Sequence, residues 1–527
     1  MEAAITGYYG KTPSVPQGGG SLDIAAFGGP LGIRWDEDAK VTRWGGLSYF
    51  ATFLKVSRMF DRLVEDAPFE YASPNAPKVR DVVGTMVLAI LAGFRRYCHI
   101  ARIRNDTACA ELLGMSKVMS DESVRRALKK CDEARLDAWL TRHEREVTES
   151  LLQFAYVLDV DNTVKTIYGH QEGAELGYNP HKPGRPSYNY HTFFVGAARM
   201  TLGVEVLPGK RHSGKCGMPW LRRFLDGLPR NCWPRLLRGD VGYGNEEIMA
   251  DAESRDIRYL FKIKRSRNVC ALFGRLEFSG AWKDCGSGWQ CIDTFIRLDG
   301  WTTTRRCLLV RRPSERKPEI KPARRPRGRP RKNAVVPVQQ EFEFVEDAKG
   351  RRWDCFALVT NDTELEPVSL TQLYRDRGDC ENNFDEYKNQ WGWGGFVTHK
   401  IKPTRATARL TAIVANWWNV FCRLADGEKH MEPVTSRPML LGIVGRIVTS
   451  GRKRFMHLTS THAESGRIRH ALERIGAFLG RISATAPQLG FNRTWTLILK
   501  VAFRKWLGGK PLRPVFDGLQ FLLPLVE

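Results

Sequence analysis

The sequence predicts a mixed α/β protein, a sheet-bearing core flanked by helical regions. Two observations carry this expectation. From 154 to 264, strand-like segments begin as hairpins and then alternate with helices, the pattern of a mixed sheet with helices packed on it. Before and after, residues 46–150 and 368–506 read as helical. A chain of 527 residues has room for about three or four such units.

Residues 1 to about 35 are rich in Gly and Pro, so residues 1–45 are expected to be loosely ordered. Helices are expected near 46–66, 79–103, 121–130 and 133–153. Within "ELLGMSKVMSDESVRRALKKC" (111–131), Ser120 or Ser123 is suited to cap a second helix that exposes Arg125, Arg126, Lys129 and Lys130. Two readings stand: a helix-turn-helix docking on DNA, which would make 46–153 a DNA-binding region, or an ordinary helical hairpin.

"FAYVLDVD" followed by "NTVKTIYGH" suggests two strands, and "YHTFFVGAARMTLGVEVLPG" (190–209) another hairpin. A helix near 217–227, the strand "RLLRGD" (235–240), a helix near 244–254 and the strand "RYLFKIK" (258–264) follow. Residues 265–366 look β-rich, with "CIDTFIRL", "TRRCLLVRR" and "WDCFALVT" as strands. Helices are then expected at 368–390, 403–425, 435–450, 464–482 and 493–506, with residues 426–527 forming a C-terminal helical region.

Charge narrows the partner. Lys and Arg number 82 against 58 Asp and Glu, a net +24 that attracts polyanions, of which nucleic acid is the commonest. The segment 311–333 holds eleven basic residues, two acidic ones and five prolines; a mobile loop is expected, and +15 remains on the rest of the chain. Within it, "RPRGRPRK" (325–332) looks like an AT-hook, whose arginines, here Arg327 and Arg329, would enter a narrow minor groove; a solvated basic loop is the competing reading. No cationic n-region precedes an apolar core at the N-terminus, and the longest apolar run, Val82 to Phe94, is too short to span a bilayer. A cytoplasmic, DNA-associated protein is expected. Twelve cysteines without one CxxC pair predict neither disulfides nor a structural zinc site. "GKRHSGKC" (209–216) resembles a P-loop but ends in Cys216, where Ser or Thr is needed.

Three carboxylates attract attention. Asp161 is followed by Asn162 and Thr163; Asp240 precedes the Gly-rich turn "VGYGNEE"; Glu381 lies in "YRDRGDCENNFDEYK" (374–388). On one continuous helix, Tyr374, Arg377, Glu381 and Lys388 would fall within roughly 60° of each other. Asp159 shares the face of Asp161 by strand alternation. Carboxylates brought together raise one another's pKa unless a cation intervenes, and oxygen-only ligation suits Mg²⁺ or Mn²⁺. Two such ions can clamp both oxygens of a phosphoryl transfer, with Arg377 and Lys388 holding DNA phosphates.

The pattern Y-x2-R-x3-E-x6-K at Tyr374, Arg377, Glu381 and Lys388 resembles the signature of one branch of bacterial insertion-sequence DDE transposases. Asp161-Asn162-Thr163, Asp240, "YGHQEGAELGYNPHKPGRPSY" and "KNQWGWGGF" strengthen the likeness, which covers roughly residues 45–480. The resemblance implies an RNase H-like catalytic core in two parts, 154–264 and 367–425, interrupted by the β-rich insertion at 265–366. It also selects Asp161 over Asp159, so that Asp161, Asp240 and Glu381 would be the catalytic metal ligands. A homodimer acting on transposon terminal inverted repeats and target DNA near the bacterial nucleoid is implied, with two Mg²⁺ or Mn²⁺ ions. In some relatives, residues like Tyr374, Arg377 and Lys388 grip the phosphates of a hairpin end. The competing classes are a catalytically inactive DNA-binding protein using the helical N-terminus and the AT-hook-like loop, and a metal-dependent nuclease without strand transfer.

Overall fold

An 11-stranded sheet carries the centre of the molecule, a computed structural model that describes residues 22–71, 73–180, 182–211, 213–314, 344–346, 351–425, 430–485, 488–510 and 512. Its first core strand, Val157–Thr166, pairs antiparallel with a second, Pro186–Val195, which pairs antiparallel with a third, Met200–Pro208. On its other edge the first strand runs parallel to a fourth, Leu236–Gly239, and the fourth parallel to a fifth, Arg258–Ile263. The spatial order is therefore third, second, first, fourth, fifth. The two strands expected on either side of Asp161 are one. The parallel pairing ends at Val160, while the hairpin with the second strand carries the chain on to Thr166.

The strands of the β-rich region continue this sheet. Arg352–Thr360 pairs antiparallel with the fifth core strand, Arg305–Pro313 with Arg352–Thr360, and Gln290–Ile296 with Arg305–Pro313. The region opens on a helix absent from the sequence reading, Arg267–Leu276, where the Ser266 hydroxyl accepts from the Val269 N–H. Of the basic segment 311–333, residues 311–313 finish a strand; Arg327 and Arg329 lie outside the described residues.

The helix Ile401–Ala425 joins the two halves of the chain. It is buried along most of its length, with Trp417 and Trp418 almost fully enclosed. Asn416 exchanges two hydrogen bonds with the Thr201 backbone, at 3.0 and 2.7 Å, fixing the helix to the third core strand. On its other side, Arg409 meets Glu144 at 2.6 Å and Asp137 at 2.5 Å on the helix Glu133–Thr148. Trp418 packs edge-on against Phe50 from the helix Leu47–Ser57, with ring centroids 5.3 Å apart. The N-terminal helices are thus part of the same core.

Several expected helices are divided. The segment 46–66 splits at Arg58, whose φ of 57° places it in the left-handed region. The segment 79–103 is a helix only over Val79–Leu91; Gly93 at φ 71° turns the chain, and Tyr97–Ile103 is 3₁₀. Of the helix, turn and helix expected within 111–131, the second is Asp121–Lys130, while the first, Thr107–Leu112, ends two residues into the stretch; Ser120 is the cap, its hydroxyl accepting from the Ser123 N–H at 3.2 Å. Arg125 pairs with Asp121 and Glu122 on its own helix, and Arg126 with Glu122.

The helix expected over 435–450 is a correction. Only Pro433–Leu440 is helical; Val444–Ser450 and Lys453–Thr459 form a hairpin turning at Gly451, φ 57°. The hairpin is completed by Val41–Thr42, some 400 residues earlier, so the partner that favours strand there is invisible locally. A second hairpin, Leu22–Ala26 with Gly29–Ile33, lies in the stretch expected to be loosely ordered, and its side chains are mostly exposed. All twelve cysteines are free, and no helix among the described residues is long and apolar enough to cross a membrane.

Candidate active site

Parallel pairing places Asp161 beside Asp240. Val157 to Val160 align with Leu236 to Gly239, and the next residue on each chain is an aspartate. Adjacent strands lie about 4.8 Å apart, so the two carboxylates share one face at the end of the parallel ladder. The turn after Asp240 is held by its own side chain, which accepts from the Gly242 N–H at 2.9 Å, and Asn245 then caps the helix Glu246–Ser254. Asp161 is buried and accepts from the Asn162 N–H at 2.8 Å. Burial and the charge of Asp240 push its carboxyl up to about 7, and Arg377 offsets this only in part.

Arg377 reaches this face from above. Its guanidinium pairs with the Asp161 carboxylate through Nη2, while its buried Nε finds no acceptor among the described residues. Tyr374, three residues earlier, packs against Phe356 at 5.8 Å, and its hydroxyl is pushed up by burial and by Asp240 and Asp161. Arg199, at the left-handed turn between the second and third core strands, forms an ion pair at 2.9 Å with Asp379, two residues after Arg377.

The segment 368–390 is not one continuous helix. Pro367–Arg375 is followed by a tight turn at Asp376 and Arg377, then the helix Gly378–Asp385, then a π-helical turn at Glu386–Gln390. Across the turn the backbone uses i→i−3 bonds, Arg377 N to Tyr374 O at 3.1 Å and Cys380 N to Arg377 O at 2.9 Å. The four-residue stripe therefore breaks. Tyr374 and Arg377 face the aspartates. Glu381 is exposed in the first turn of its helix, and Lys388, half-buried in the π turn with its ammonium pulled down by desolvation, has Asp385 as its charged neighbour. Gly392 at φ 90° and Gly395, where a Cβ would stand 1.6 Å from the Arg95 carbonyl, are required where "KNQWGWGGF" folds back on the N-terminal helices.

Among the described residues no three His, Cys, Asp or Glu side chains are gathered closely enough to hold a metal ion. The structure thus brings Asp161 and Asp240 together and leaves Glu381 apart from them. The donor chemistry still fits a hard divalent cation: two oxygen donors side by side whose repulsion a cation relieves, with a third carboxylate exposed on the helix above.

Asp159, the competitor of Asp161, is fully enclosed and held by Arg238 of the fourth strand at 2.5 and 2.8 Å. Arg238 also donates to the Leu373 carbonyl, tying the overlying helix to the sheet. Sequence reasoning missed this pairing, and it missed Lys262 on the fifth strand, whose ammonium feels Arg377, Asp240 and Glu381. The signal available was the "RLLRGD" and "RYLFKIK" alternation, which places Arg238 with Asp240 and Leu260 with Lys262 on single faces.

The sequence profile described as the transposase DDE domain matches residues 152–417, half of the chain. No curated protein matches the chain in sequence. Among solved structures, the chain is similar to one described as the piggyBac transposase synaptic complex with hairpin DNA, determined by cryo-electron microscopy. The identity is 10%, the coverage 86% of this chain and 85% of that one, and the TM-score 0.35.

Proposed function

The chain belongs to the transposase DDE domain family, and on that premise we propose that it cleaves DNA at the ends of a bacterial insertion sequence and joins the freed 3′-OH to target DNA. The observation that carries this reading is the alignment of Asp161 and Asp240 on neighbouring parallel strands, beneath the segment that bears Arg377 and Glu381. The strand order, third, second, first, fourth, fifth with only the second antiparallel to its neighbours, supports an RNase H-like core.

Asp161, Asp240 and Glu381 would hold Mg²⁺ or Mn²⁺. Bound there, the ions would supply Lewis-acid stabilisation of the pentavalent phosphate and lower the pKa of the attacking hydroxyl. Arg377, with a spare donor at Nε, exchanges its contact with Asp161 for a DNA phosphate. Tyr374 forms the wall beside that phosphate, and Lys388 holds the backbone further along the end. Arg125 and Arg126, on the helix Asp121–Lys130, contact DNA of the terminal repeat. Arg327 and Arg329 hold the basic loop in an A·T-rich minor groove. The protein acts as a homodimer across paired ends.

The test is cleavage of a radiolabelled insertion-sequence end in Mg²⁺ by Glu381→Gln, with end binding measured in parallel. Cleavage falls by several orders of magnitude while binding survives, because the substitution removes the charge and keeps the size. Near-normal cleavage by Glu381→Gln would remove the glutamate from the ligand set.

A further inference from the structure

The row that contains Asp161 and Asp240 has a third member. Gly239 of the fourth strand aligns with Phe261 of the fifth, so the residue after Phe261, Lys262, continues the line Asp161, Asp240, Lys262 across three adjacent parallel strands. In a parallel ladder, residues in register point to the same face. The lysine therefore flanks Asp240 on the side away from Asp161.

Its surroundings are built. Lys262 is half-buried, and its ammonium lies 5.4 Å from the centre of the Phe356 ring, which in turn meets Tyr374 at 5.8 Å. Among the described residues no carboxylate comes within ion-pair distance of it. The other cation of the site, Arg377, pairs with Asp161 in the absence of DNA. Lys262 is a cation beside the carboxylates with no ion-pair partner among the described residues, its ammonium over an aromatic ring.

We propose that Lys262 binds the DNA phosphate at the reacting bond, its ammonium on a non-bridging oxygen while Asp161 and Asp240 serve the metal side of the same group. An ammonium there neutralises charge that grows on the phosphate oxygens during attack, and it sets the distance between that phosphate and the aspartates. The proposal rests on the reading of this face as the phosphoryl-transfer site.

The experiment compares the full chain with Lys262→Arg and Lys262→Met on two end duplexes, one natural and one with an uncharged methylphosphonate at the cleavage position. Binding is followed over a range of salt without divalent metal. Lys262→Met, which keeps the length of the side chain and removes its charge, should lower the slope of log K against log salt by about 0.9 on the natural duplex, the value for one phosphate contact. On the methylphosphonate duplex, where that contact is already lost, wild type and Lys262→Met should bind alike. Lys262→Arg should restore the slope. In Mg²⁺, Lys262→Met should cut the natural end about a hundredfold more slowly. Equal slopes for wild type and Lys262→Met on the natural duplex, or an equal loss on both duplexes, would overturn the proposal. If Asp161→Asn and Asp240→Asn abolish cleavage in either of those cases, the site reading stands and only Lys262 is removed from it. If those two variants cleave normally, the site reading itself fails.

Discussion

Two Asp–Arg pairs lie two residues apart on one face of one strand, and they have different fates. Asp159 and Arg238 stand opposite each other on adjacent strands, fully enclosed, joined by two hydrogen bonds. Asp161 takes its arginine from a turn between two helices, and its strand neighbour is another aspartate. The first pair is balanced and fixed at both ends by backbone. Burial raises the proton affinity of both carboxylates, and at Asp161 the charge of Asp240 adds to it. A buried charge that is fully paired is structure; one left over against a like charge is available for a ligand.

The comparison is broken most sharply by isosteric neutralisation. Asp161→Asn and Asp240→Asn should each reduce end cleavage by several orders of magnitude, and the double variant should fall little further, since residues acting on one centre are not additive. Single-turnover cleavage of a labelled end measures this.

Asp159→Asn should act on folding instead. Removing its charge leaves Arg238 enclosed without a counter-ion, at a cost of about 3–5 kcal/mol, read as a lower urea midpoint at unchanged slope. Arg409→Met, which strands Glu144 in the same way, should cost a similar amount. If Asp159→Asn proves as stable as wild type yet inactive, the roles of the two aspartates are exchanged.

A smaller and oppositely signed effect is expected for the stability of Asp161→Asn. The folded protein raises this carboxyl from the ordinary carboxylate range to about 7. The native state therefore prefers the proton, and the stability this contributes is complete below the unfolded pKa and lost as pH rises through 7. In metal-free buffer at pH 8 Asp161→Asn should exceed wild type by roughly 1–3 kcal/mol, and the difference should close towards pH 4. Paired denaturation curves at the two pH values decide it.

The smallest effect sharpens the role of the clamp on the Glu381 helix. The Arg199–Asp379 pair is partly exposed, so Arg199→Ala should cost less than about 1 kcal/mol. If the pair positions Glu381, the same variant slows cleavage more than the stability change predicts.

Much of this was legible in the residues. The hairpin over 190–209, the strands at 235–240 and 258–264, the helix near 244–254 and a cap at Ser120 follow from alternation, spacing and capping chemistry, while the strand that bears Asp161 was expected as two. What was not legible depended on partners distant in sequence. The hairpin Val444–Thr459 needed Val41–Thr42 to favour strand over helix. The single stripe from Tyr374 to Lys388 assumed an unbroken helix, and the chain instead tightens at Arg377 and widens at Glu386.

The sequence by itself determined which groups are available: the aspartates, the glutamate, the cations and the strands that present them, because hydrogen bonding within a helix or a turn and the two-residue period of a strand are local. Only the tertiary structure decided which aspartate is spent and which is left. Arg238 lies 79 residues from Asp159, and Arg377 lies 216 from Asp161. Register brings Lys262 into line with Asp240 only once three strands have paired. Charge balance inside a protein is a property of neighbours in space, and chain order does not fix it.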